Sequence, residues 1–248
     1  MQSRPSPGPG GGSAPQASRA RRCGEVRIGS MRGMNSLVTR AMSTVAAQLG
    51  NPHGVLGKVV ARMLNRANRF AIDAAVEAAE VGAGQAAADI GFGGGVGLSI
   101  LLREVGDTGT VHGVEISPDM SARARARFTR DIGTGRLRIV EGGLTELPLA
   151  SASLDAVITV NTVYFIDDLD RACAELARVL RPGGRVVVGI GDPAAMAKMP
   201  FTAHGFRLRP VDDVSEALER AGLAVEHRRI DRQPIPAHLL IGRRGSED

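Results

Sequence analysis

From Ala86 to Ile190 short apolar runs alternate with stretches of helical periodicity, and this alternation restricts the fold more than any other feature of the chain. The runs are Ala86–Ile90, Thr110–Ile116, Leu137–Glu141, Leu154–Val160 and Arg185–Ile190, each short enough to be a buried strand. Helical patterns occupy Val96–Glu104, Pro118–Asp131 and Leu169–Leu180, and another follows at Val211–Ala221. Strand and helix in turn imply parallel strands joined by right-handed crossovers, with helices on the faces of one sheet. The end of the chain breaks the rhythm. Ala224–Ile230 and Ala237–Arg243 are separated only by Asp231–Pro236, too short for a crossover helix, so they are expected to pair antiparallel. The expected fold is α/β: a doubly wound, mainly parallel seven-stranded sheet with an antiparallel C-terminal edge hairpin. Its core has to be aliphatic and Ala-rich, because aromatics make up 3% of the 248 residues and Trp is absent, whereas hydrophobic residues reach 43%.

The segments ahead of this pattern differ in kind. Residues 1–16 are dense in Pro, Gly and Ser and cannot bury enough apolar surface to offset the entropy of ordering. Residues 1–40 are therefore expected to be a disordered Pro/Gly/Arg-rich extension. Its Arg-rich, acid-poor character also suits a transit peptide, but a non-folding extension, or a start set too far upstream of Met31, Met34 or Met42, is the preferred reading. Between Val55 and Val81 apolar residues recur at helical spacing, predicting two helices broken around Asn65–Asn68 and ended by Gly82-Ala83-Gly84. Residues 41–81 then form an N-terminal helical cap before a domain over 82–248.

The basicity of the chain belongs to the extension. Residues 1–40 hold seven arginines against Glu25, a net of +6, which leaves −1 for the rest of a chain whose total is +5. The globular part thus offers no charge argument for nucleic acid, nor the interleaved aromatics that stack bases. Cys23 and Cys173 fall in the extension and in a predicted helix, which argues against a structural disulfide and fits a reducing cytoplasm. No apolar run approaches a membrane span, so stable membrane insertion is not expected.

The strongest local signal is Asp89-Ile90-Gly91-Phe92-Gly93-Gly94-Gly95, which follows a strand and opens a helix. Glycines there permit a sharp turn and close approach of a ligand to the backbone, and the helix start presents unsatisfied N–H groups. The carboxyl end of a strand is also where open α/β sheets bind ligands. A dinucleotide loop needs G-x-G-x-x-G, but the third position is Val96 or Leu98 in the two available registers. Glu115 closes the second strand about twenty residues on, where an acid can accept hydrogen bonds from ribose hydroxyls.

The segment resembles the Asp/Glu-x-Gly-x-Gly-x-Gly motif of class I S-adenosylmethionine (SAM)-dependent methyltransferases, matched by Asp89, Gly91, Gly93 and Gly95. The resemblance implies a Rossmann-like class I fold and a SAM-binding domain over 82–248. It implies that the loop, Phe92 included, wraps the methionine portion of SAM while Asp89 orients its amino group. It implies too that Glu115 holds the ribose, with Ile116 and Met120 beside the adenine. Many relatives carry an Asp at the place of Gly143, so here the adenine would be held by backbone groups around Gly143 and Leu144. Asn161-Thr162-Val163-Tyr164-Phe165 occupies the loop after the fourth strand that faces the methyl group in this family, with Asn161 at the cofactor. The Asn-Pro-Pro-Tyr motif of DNA amino-methyltransferases is absent, since Thr162 and Val163 replace the prolines. Leu180-Arg181-Pro182-Gly183-Gly184 is a further family signature, in which Pro182 stops a helix. The likeness runs from about Gly82 to Ile241, roughly two thirds of the chain.

Methyl transfer asks the protein mainly to hold the acceptor in line and exclude water. Where a base is needed, the candidates are Tyr164, His53 and His204; a packed Tyr and structural or surface histidines are the competing readings. The five histidines and two cysteines show no metal-ligand spacing, so no metal is expected. Asp192–Pro210, with Met196, Met199, Phe201, His204 and Phe206, reads as an apolar lid or as a packed connection, and Asn51-Pro52-His53-Gly54 is a second segment available to an acceptor. The expected activity is SAM-dependent methyl transfer (EC 2.1.1.-) to O, N or C of a small organic molecule, a quinone precursor or secondary metabolite, releasing S-adenosylhomocysteine. Partners then reduce to that acceptor and, at most, a second copy of the chain. The alternatives are a catalytically silent SAM- or nucleotide-binding module acting as a regulatory or assembly partner, nucleic-acid modification through the Arg-rich extension and, more distantly, a dehydrogenase.

Overall fold

A computed structural model describes residues 68–203, 205–231 and 235–246. The expectations for residues 1–67, His53 among them, and for His204 lie outside the described residues. The first described element is a helix over 68–79, α1, whose apolar residues Ala71, Ala75, Val76, Ala78 and Ala79 are buried. Glu80 leaves the helix in the left-handed region at φ 48°, ahead of Gly82 and Gly84. Alternation then proceeds through β1 (Ala86–Ile90), α2 (Val96–Glu104), β2 (Thr110–Glu115), α3 (Pro118–Arg127), α4 (Thr129–Gly133), β3 (Leu137–Glu141) and β4 (Leu154–Val160). It continues through α5 (Leu169–Val179), β5 (Leu180–Gly191), a short α6 (Pro193–Met196), α7 (Val211–Arg220), β6 (Leu223–Ile230) and β7 (Ala237–Arg244).

The strands form one seven-stranded sheet in the order β3-β2-β1-β4-β5-β7-β6. Its first five members are parallel, and β7 runs antiparallel to both β5 and β6, which places the C-terminal hairpin at the edge. Strand order reverses between β1 and β4, so the carboxyl ends of these two neighbours flank the crevice where doubly wound sheets take ligands. Ala, Val and Ile dominate β1 and β4, and Val186–Val188 and Ile190 form the buried stretch of β5, because both faces are covered. On one face Leu176 of α5 and Val214 and Leu218 of α7 pack with Val186, Val188 and Leu240. On the other, α1, α2 and α3 contribute Ala75, Leu98, Leu101 and Met120 against Val111, Ile158, Val187 and Leu239.

Helix starts follow local chemistry. Ser117 caps α3 by accepting from the Met120 N–H (3.4 Å), with Pro118 at the first position, and Asp168 caps α5 by accepting from Arg171 N (3.0 Å). Two elements differ from expectation. The helix expected over Pro118–Asp131 breaks at Phe128 (φ −106°, ψ 30°), whose ring turns inward and is buried. The fifth strand begins at Leu180 rather than Arg185: Leu180 is already extended (φ −70°, ψ 140°), so the helix ends before Pro182 instead of at it. Pairing with β4 jumps from Leu154↔Leu180 to Ala156↔Arg185, and the extra residues bulge. Among the described residues no helix is long and apolar enough to cross a membrane.

Candidate active site

The glycine turn sits at the carboxyl end of β1, at the reversal point of the sheet. Gly91, Gly93 and Gly95 take φ values of 71°, 49° and 74°, the left-handed region that side chains disfavour. Gly91 N donates to Val114 O (2.7 Å) and Gly95 N to Phe92 O (2.8 Å), which fixes the turn against β2 and closes it on itself. A Cβ built on Gly93 or on Gly143 would meet no atom within 4 Å, so the space over both is open. Phe92, expected at the ligand, turns its side chain into the core (5% exposed) and contributes only backbone to the turn.

Two buried acids border this turn. Glu115, at the end of β2, accepts from Gly93 N (2.8 Å) through Oε2 and from Ser117 N (3.0 Å) through Oε1. Burial pushes its carboxyl above the usual range, with those N–H groups opposing. Asp89 is 5% exposed; burial first, then the charge of Glu115, raise its carboxyl to about 8, against the pull of the Leu98 N–H at the start of α2. Among the described residues neither acid has an ion pair. Next to them Ile116 stands 60% exposed, an apolar surface beside the turn, whereas Met120 is buried in the core.

The loop after β4 closes the other side. Asn161 is left-handed (φ 59°) and its N–H donates to Gly189 O (2.8 Å). Thr162 Oγ1 donates to Ile90 O (3.4 Å) and packs on the bare face of Gly91, where a Cβ would lie 2.6 Å from that oxygen. Tyr164, expected as a base, is buried at 3%, and its Oη accepts from Gly191 N at 2.6 Å. Burial raises the phenol well above its ordinary range, and the hydrogen bond ties the post-β4 turn to the end of β5. Leu144 is buried, and Gly143 O accepts from Glu146 N (3.3 Å) in a tight turn.

The segment after β5 folds back over this loop. Arg209 donates from Nη1 to Val163 O (2.8 Å) and from Nη2 to Ile166 O, and Arg207 N donates to Tyr164 O (2.9 Å). Phe206 thereby packs on Phe165 and Tyr164, with centroids 4.8 and 5.6 Å away. Asp192 caps α6 through Ala195 N (2.8 Å) and meets His238 Nε2 (3.1 Å), whose Nδ1 lies 2.8 Å from His227 Nε2. The Ala195 N–H, then His238, hold the Asp192 carboxyl below its usual range.

Sequence reasoning missed Gly97, Thr162 as a packing partner of Gly91, Arg209 and the Asp192–His238–His227 chain. A Cβ on Gly97 would overlap Asp89 Oδ2 and lie 3.0 Å from its Cγ, so this glycine makes the room that the acid occupies. Its position two residues after the motif was the only available signal; the other contacts join residues far apart in the chain.

The protein-family description "Methyltransferase domain" matches residues 88–188. The chain is 32% identical over 152 residues to an arsenite methyltransferase of Halobacterium salinarum, covering 58% of this chain and 38% of that protein. It is 31% identical over 153 residues to a ubiquinone/menaquinone biosynthesis C-methyltransferase of Psychromonas ingrahamii, covering 61% and 58%. The chain thus spans well under two thirds of the length of these curated relatives. In fold it is similar to a SAM-dependent methyltransferase from Aquifex aeolicus, with a TM-score of 0.61 and 18% identity over 81% of this chain and 97% of that one.

Proposed function

We propose that the chain, whose residues 88–188 match a methyltransferase domain, is a class I SAM-dependent methyltransferase that transfers a methyl group from SAM to a small organic acceptor and releases S-adenosylhomocysteine. The observation that carries this reading is the Asp89–Glu115 pair: two buried acids, without an ion pair among the described residues, bordering a glycine turn. A buried carboxyl group without a cation beside it resists ionisation. An adenosyl amino acid offers what the two acids lack, an ammonium for Asp89 and vicinal hydroxyls for Glu115.

Bound there, SAM supplies a methyl group on a positively charged sulfur, open to a lone pair or carbanion of the acceptor. The chain's own contribution is positional. Gly91, Gly93 and Gly95 keep the backbone low beneath the ligand, Glu115 orients one end and Asp89 the other, with Ile116, Gly143 and Leu144 beside the base. Asn161 and the post-β4 turn face the reacting centre, braced by Tyr164 and Arg209. Residues 82–248 act as the donor-binding domain, and the acceptor is held between the post-β4 and post-β5 segments. Holding it in line and excluding water is the main catalytic requirement.

The aromatic group of Phe165, Phe206 and Tyr164 at that position supports an apolar, ring-bearing acceptor. The ubiquinone/menaquinone relative supports the same direction, a quinone-precursor-like molecule or a secondary metabolite. The test is calorimetric titration with SAM and with S-adenosylhomocysteine, beside a Gly93→Asp variant, followed by transfer of labelled methyl to a panel of phenols, quinols and amines. Binding by the wild type and its loss in the variant are expected. Well-folded protein that binds neither compound overturns the reading, and binding without transfer to any acceptor moves it to a silent SAM-binding module.

A further inference from the structure

Three consecutive glycines, Gly93 to Gly95, have more conformations to lose than three residues with side chains, so a turn built from them needs outside restraint to hold one shape. On the inner side Glu115 supplies it by accepting from Gly93 N. On the outer side the end of α3 does. Arg127 Nη1 donates to Gly94 O (3.1 Å) and Nη2 to Ser99 Oγ (3.0 Å), and that hydroxyl donates to Gly95 O (3.2 Å). One guanidinium thus reaches two successive carbonyls, the second through a serine.

The carbonyl of Gly94 and the N–H of Gly95 belong to one peptide plane and point in opposite directions. Arg127 holds the first outward while Phe92 O receives the second at 2.8 Å, so the plane is clamped at both ends. Phe128 supplies the steric half. Its Cε2 lies 3.1 Å from where a Cβ on Gly95 would stand, and the Arg127 guanidinium sits 4.9 Å over its ring. The break between α3 and α4 at Phe128 turns that ring inward. Arg127 is exposed and makes no salt bridge among the described residues, so its hydrogen bonds to Gly94 and Ser99 and its contact with the Phe128 ring are what it offers the fold.

We propose that Arg127, seated on Phe128, is a positioning residue for the methyl-donor site, holding the glycine turn in its ligand-ready shape; this rests on the reading of that turn as the SAM site. The experiment compares wild type, Arg127→Ala and Arg127→Lys as full chains, by SAM calorimetry, thermal unfolding and amide hydrogen exchange. Arg127→Ala is expected to weaken SAM binding about 5- to 10-fold, as loss of one solvent-exposed hydrogen bond does. It should speed exchange at residues 93–96 and leave the melting temperature within about 2 °C, since the side chain is exposed. Arg127→Lys should recover part of the affinity, because an ammonium can reach one acceptor but not both. Unchanged affinity and exchange in Arg127→Ala overturn the proposal, as does weakened binding accompanied by a general fall in stability. If the wild type binds neither SAM nor S-adenosylhomocysteine, the donor-site reading itself fails.

Discussion

Asp89 shows how much one side chain's surroundings can alter its chemistry. Its carboxyl is held at about 8 against an ordinary 3.8, so between those values the folded protein keeps a proton that the unfolded chain has released. Stability of the ligand-free protein therefore falls as pH rises through that window. Asp89→Asn is expected to flatten the trend, as thermal melts between about pH 5 and pH 8 would show. An ammonium stabilises the carboxylate, so SAM affinity should rise over the same window in the wild type and be weak throughout in the variant. Gly97→Ala should displace Asp89 and cost about 1–3 kcal/mol by overpacking, with SAM binding lost in step, read by chemical denaturation and calorimetry. Tyr164→Phe leaves Gly191 N without its acceptor, a loss of about 1–3 kcal/mol, but the pH profile of methyl transfer should keep its shape because the phenol does not titrate in the working range. The motif glycines and both acids were legible in the sequence because their spacing is local. The hydrogen bond between Tyr164 and Gly191 was not, because the two lie 27 residues apart.

At the level of elements, periodicity located every described strand and long helix, and the two largest boundary changes have tertiary causes. Phe128 broke the helix expected to run to Asp131 because its ring is drawn beneath the glycine turn. β5 grew backward to Leu180 because β4 offered a pairing partner at Leu154. The C-terminal hairpin does more than finish the sheet. It delivers His238 to Asp192, the cap of α6, and so ties the edge strands to the segment lying over the post-β4 loop. His238→Ala is expected to destabilise the protein by about 1–3 kcal/mol, seen in urea denaturation, and to speed amide exchange at Ala195, whose N–H the Asp192 carboxylate holds.

For the whole molecule, the excess of positive charge lies in residues 1–40, and the remaining chain is close to neutral. Removing residues 1–40 is expected to leave SAM affinity and methyl transfer to a small acceptor within about twofold of the full chain, since salt-screened charge adds little to the binding of a neutral acceptor. A large loss would favour a polyanionic acceptor instead. The order of strands and helices, the turn at the carboxyl end of β1 and the antiparallel finish were all determined by the sequence itself, because periodicity and glycine spacing act over neighbouring residues. Only the tertiary structure decided that Asp89 is buried beside Glu115, that Gly97 leaves room for it, that Tyr164 is tied to Gly191 and that Arg127 reaches the glycine turn. Burial, proton affinity and hydrogen-bond partnership depend on which distant residues arrive at the same place, and no local pattern encodes that.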